Sequence, residues 1–139
     1  MNPTPLVARS VPLVSSVLLV AAFLTTQPMQ QGRGTPASEG STEAHADSPG
    51  NTALTIRVAH LAPPVRVAAD AQVYVVWVQP MDAAPSNVGV LELAKDLTGS
   101  LTTLTPHRRF GVLVTPEPSG QVDKPTHPAV FSAQVVRTE

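Results

Sequence analysis

Residues 72–79 read QVYVVWVQ, with apolar side chains at consecutive positions and an abundance of β-branched and aromatic residues. In an extended chain successive side chains point to opposite faces. Apolar residues at both parities therefore demand cover on both faces. A strand in the interior of a sheet receives that cover, and Pro80 stops the stretch. Few other folding solutions suit these eight residues, and the rest of the chain can be placed around them.

The neighbouring segments share the period of two. Leu54, Ile56 and Val58 alternate with Thr55, Arg57 and Ala59, the pattern of a half-buried strand. Residues 62–65, with Pro63 and Pro64, end it, and residues 66–71 read as a short edge or a loop. Val88–Leu93 is a further strand. Lys95–Ser100 then predicts a hairpin turn with Gly99 at a positive φ, and Leu101–Leu104 is the returning strand. Phe110–Thr115 and Ala129–Val136 complete the set, separated by a loop carrying Pro116, Pro118, Pro125 and Pro128. No stretch after residue 52 carries a helical stripe. The expected fold is all-β, a small immunoglobulin-like β-sandwich of about six or seven strands. Ile56, Val75, Trp77, Val112 and Val130 are expected to share its one interior. Tyr74, Trp77, Phe110 and Phe131 read as core aromatics.

The first half has a different character. After a short leader with Arg9, residues 11–26 read VPLVSSVLLVAAFLTT, and no acidic residue occurs before Glu39. Such a segment reads as a signal peptide or a membrane anchor, residues 1–26. It is shorter than the ~20 residues a spanning helix needs, which favours the signal peptide. Val20-Ala21-Ala22 offers small residues for cleavage. Residues 27–52 contain no Val, Ile, Leu or aromatic residue, and the expectation is a disordered linker. The folded domain is then 53–139, and the protein is exported: periplasmic, extracellular or tethered outside the cytoplasmic membrane.

Composition narrows the chemistry. The chain has no cysteine, which excludes disulfides, thiol catalysis and Cys-ligated zinc. Residues 53–139 carry seven basic side chains (Arg57, Arg66, Lys95, Arg108, Arg109, Lys124, Arg137) against seven acidic ones (Asp70, Asp82, Glu92, Asp96, Glu117, Asp123, Glu139). A neutral domain with one small basic cluster, His107-Arg108-Arg109, does not suit nucleic acid. His60, His107 and His127 are widely spaced, without HxH or HExxH, and His45 lies between Glu43 and Asp47 in the polar linker. No metal, cofactor or small-molecule substrate is expected. Glu117 with Asp123 reads as a solvated loop rather than a hydrolytic pair, and Ser119-Gly120 lacks a nucleophile elbow.

Several segments line up in order: YVVWVQP (74–80), NVGVLEL (87–93), a Gly-containing turn, LTTLTP (101–106), FGVLVTPEPSG (110–120) and KPTHPAVFS (124–132). Together they resemble the extracytoplasmic C-terminal domain of RskA-type anti-sigma factors. The resemblance implies a β-sandwich and a place outside the cytoplasmic membrane. Two positions depart from the pattern: Ser119-Gly120-Gln121 stands where paired glycines are usual, and His127 stands where Gly is usual. Only ten residues precede the apolar run, so the expectation is the outer domain alone, without a cytoplasmic sigma-binding domain.

Loops on a rigid scaffold carry recognition, and proline lowers the cost of ordering them. The expected working surface is therefore the 115–128 loop with the 80–87 loop, and Glu117, Lys124 and His127 are the candidate residues for a protein partner. The expected function is a non-catalytic binding, sensing or structural module at the cell envelope. A regulatory accessory of an anti-sigma system is the second reading, and a small secreted hydrolase the last.

Overall fold

A computed structural model describes residues 25–32 and 37–137. Among the described residues nine strands and one helical turn follow in order: β1 (Thr25–Pro28), β2 (Gln30–Gln31), β3 (Glu39–Asp47), β4 (Asn51–Ala59), α1 (Pro64–Val67), β5 (Val73–Pro80), β6 (Ser86–Leu91), β7 (Gly99–Thr105), β8 (Arg109–Glu117) and β9 (Phe131–Val136). They form two antiparallel sheets, ordered β1-β3-β4-β7 and β2-β9-β8-β5-β6. The fold is a β-sandwich, as the strand pattern predicts. Its β3-β4-β7 layer over β9-β8-β5-β6 follows the strand plan of immunoglobulin-like domains.

The interior is made by one parity of each strand. Leu54, Ile56 and Val58 of β4 face Tyr74, Val76 and Val78 of β5, Phe110, Val112 and Val114 of β8, and Phe131, Ala133 and Val135 of β9. Leu91, Val130, Ala44 and Met29 close the cluster. The Tyr74 hydroxyl donates to the carbonyl of Ala62 at 2.6 Å, which fixes the chain leaving β4.

The described residues of the expected disordered linker belong to the fold. β3 pairs with β4 along its whole length, from Glu39↔Ala59 to Asp47↔Asn51. The inward positions of β3 are Gly40, Thr42 and Ala44, which give no hydropathy signal. At Gly40 a side chain is excluded by Phe131: a Cβ there would stand 3.0 Å from the Phe131 ring. The outward face carries Glu43, which meets Arg57 of β4 at 2.8 Å. The folded domain therefore includes β1, β2 and β3 and is not confined to the residues from Ala53 onward. Thr25 and Thr26, the end of the expected export segment, pair with Ala44 and Glu43. The remainder of that segment lies outside the described residues. No helix among the described residues is long and apolar enough to cross a membrane.

Of the expected hairpin between β6 and β7 only the turn and one antiparallel bridge, Leu93↔Gly99, are formed. β6 pairs with β5, whereas β7 pairs with β4 in the other sheet. The intervening turn is tight, with Ala94 N–H donating to Thr98 O at 2.8 Å and Leu97 N–H to Ala94 O at 3.0 Å. Leu97, not Gly99, takes the positive φ, at 65°. Gly99 serves close approach, since a Cβ there would meet the Glu92 carbonyl oxygen at 2.6 Å. Asp96 accepts from both the N–H and the hydroxyl of Thr98, and these bonds hold its carboxyl below the usual carboxylate range.

Candidate functional site

β5 has a second buried face. Val75 and Trp77 are fully buried but lie outside the sandwich interior, because their parity is opposite to that of Tyr74, Val76 and Val78. This corrects the expectation of a single interior holding both. Their neighbours on the outer face are Thr115 and Leu113 of β8 and Val90 and Asn87 of β6. The cover is the segment 118–129, a proline-rich strap fastened to the outer face of the five-stranded sheet at β6 and β8.

Two fastenings of different chemistry hold the strap. On the β6 side, the Asn87 side-chain amide donates to the carbonyls of Gly120 (2.9 Å) and Val122 (3.1 Å). Gly120 packs directly on Val90, where a Cβ would come within 2.5 Å of Cγ2. On the β8 side the fastening is Glu117. Its Oε1 accepts from the Thr126 N–H at 2.9 Å, and its Oε2 accepts from the Thr126 hydroxyl.

Glu117 also anchors a directed chain of hydrogen bonds. Trp77 Nε1 donates to Thr115 Oγ1 at 2.8 Å, and Thr115 Oγ1 donates to Glu117 Oε1 at 2.8 Å. On the other side Thr126 Oγ1 lies 2.9 Å from His127 Nδ1, and His127 Nε2 lies 2.8 Å from Asp70 Oδ1. The Thr126 proton is directed to Glu117, so Thr126 can only accept from His127. Asp70 is an acceptor as well. Both contacts of the imidazole are hydrogen bonds together only when each ring nitrogen carries a proton. Burial alone would push the Glu117 carboxyl up. The Thr126 hydroxyl and N–H, the Thr115 hydroxyl and the neighbouring His127 outweigh it and hold the carboxyl below its usual range.

The three candidate partner residues therefore differ in kind. Glu117 is fully buried, so it cannot touch a partner in this conformation; it is neither a solvated loop residue nor paired with the exposed Asp123. His127 keeps 21% of its side chain exposed while bonding Asp70. Its φ is not among the positive ones, so the residue that stands in place of a glycine needs no glycine angle. Lys124 is exposed. Asp70, Asn87, Thr115 and Thr126, which complete the fastenings, carry no sequence motif of their own. The one available signal was the doubly apolar β5, whose outer face requires a cover.

His60, His107 and His127 are not brought together: among the described residues no group of three or more His, Asp or Glu lies placed to hold a metal ion. Open hollows flank the fold, one of them reaching Val90 beside the strap. The larger, about 1120 Å³, is bordered by β1, β3, β4 and the start of β7.

These features define a two-sheet β-sandwich with one latched strap. Residues 12–130 match the family model described as anti-sigma-K factor rskA, C-terminal, and the chain belongs to that family, an anti-sigma-factor-like regulatory domain. The matched region includes β1 to β8 and the strap. Comparison with curated proteins and with solved structures returns no significant match.

Proposed function

We propose that the protein is an exported, non-catalytic module at the cell envelope that recognises a protein partner through its strap. The observation carrying this reading is the strap itself: a proline-rich segment fastened at both ends that holds Asp123 and Lys124 exposed. The 80–87 loop adjoins it through Asn87, and Met81 at that loop's start is 77% exposed. Preordered loops lose little entropy on binding. Family membership supports a protein partner and a regulatory role, and the apolar run 11–24 supports export.

The Thr126–His127–Asp70 contact resembles a nucleophile–base–acid relay only on paper. The Thr126 proton is committed to Glu117, so His127 has none to accept from it. That geometry favours fastening over hydrolysis.

The test is affinity capture from the native host with the intact protein and with Lys124→Glu and Met81→Asp, each verified as folded by circular dichroism. Specific partners should be lost from both variants. Retention of every partner by both would overturn the assignment of the surface. Family membership also favours action within an anti-sigma system. Deleting the gene should then alter envelope-stress transcription, and unchanged transcription would sink that reading.

A further inference from the structure

The strap's two fastenings respond to different things. The Asn87 amide is neutral, and its bonds to Gly120 and Val122 do not depend on pH. The Glu117 fastening depends on a charged carboxylate, which can accept from Thr126 N–H, Thr126 Oγ1 and Thr115 Oγ1 together. A protonated carboxyl must donate one hydrogen of its own, and every side-chain hydroxyl facing it already points a proton inward. Charge-assisted bonds are the strong ones, so this end of the strap is held mainly by one negative charge.

We propose that residues 123–129 form a lid, hinged where Asn87 holds Gly120 and Val122 and latched by Glu117, that opens when the latch loses its charge and uncovers the Nε1 edge of Trp77. The groups facing the latch are Thr115 of β8, Thr126 and His127 of the strap, and Trp77 of β5 through Thr115. Asp70 stands behind His127 at 2.8 Å. Discharge of Glu117 removes the charged acceptor of both Thr126 bonds, so the hold on residues 126–127 weakens. Among the described residues the hydrophobic cluster of the interior holds no carboxylate or histidine, and the buried Arg137 at its margin keeps its charge in acid, so the interior does not share this response.

The proposal is independent of any partner, and the protein carries its own reporter, since Trp77 is its sole tryptophan. Acrylamide quenching and emission maximum are measured on the intact chain from pH 7 to about 3, alongside far-ultraviolet circular dichroism. Trp77 should become quenchable and red-shifted at a higher pH than that at which the β-sheet signal is lost. Glu117→Gln should show the quenchable Trp77 already at pH 7, with a flattened pH response. If Glu117→Gln fails to fold, Thr126→Val removes the hydroxyl bond while keeping the backbone one, and should shift the opening to higher pH. A Trp77 shielded until the sheet itself melts, equally shielded at pH 7 in a folded Glu117→Gln, or opening at an unchanged pH in Thr126→Val, would overturn the lid.

Discussion

The indole of Trp77 and the hydroxyl of Thr115 meet at 2.8 Å on the outer face of the sheet, with the whole of β5 and β8 between them and the sandwich interior. Thr115 is the middle member of a relay, accepting from Trp77 and donating to Glu117.

Thr115→Val keeps the shape of the side chain and removes both bonds. The indole N–H then lies buried without its acceptor, and Glu117 loses a donor. The expected cost is about 1–3 kcal/mol, read as a lower urea midpoint with an unchanged slope. An unaltered midpoint would mean that water or the strap replaces the hydroxyl.

Tyr74 is the sole tyrosine, and burial raises its hydroxyl pKa to about 12. Ionisation followed in the ultraviolet should have its midpoint near 12 in the folded protein, against about 10 in urea. A raised folded value means the contribution is fully present below pH ~10 and is lost as pH rises through about 12. Stability should therefore decline across that window. Tyr74→Phe should flatten the decline, at the cost of the bond to Ala62.

The first residue of the folded domain can be tested by truncation. A chain starting at Phe23, the product of cleavage after Ala22, keeps β1 to β9. A chain starting at Ala53 lacks β1, β2, β3 and the first two residues of β4. The first should unfold cooperatively on heating and the second should not. N-terminal sequencing of the protein isolated from its native host should accordingly find no start beyond Thr25. A cooperative transition in the shorter chain would show that β3 is dispensable.

What the sequence conveyed and what it withheld have a common physical basis. β4, β5, β8 and β9 present Val, Ile, Leu and Phe at regular alternation, and each lies where the pattern places it. β3 is illegible because its inward residues are Gly40, Thr42 and Ala44, and the space over Gly40 is taken by Phe131, 91 positions after it. The pairing of β7 was misassigned because a tight turn implies a hairpin only when both flanking strands stay in one sheet, a matter decided by β4 and β5. At the strap, Lys124 stands exposed as expected. Glu117 did not, because burial of a carboxylate depends on donors, and its main donor, Thr126, lies nine residues further along the chain. The doubly apolar β5 announced a cover for its outer face without saying that a loop would supply it.

β1 also bears on mechanics. Thr25 adjoins the apolar run 11–24 in the chain, and Thr25–Pro28 are already stitched to Ala44–Ser41. No slack polypeptide intervenes. A pull on the chain ahead of Thr25 would reach the sandwich through a single short hem, and its tension would arrive first at the β1–β3 ladder.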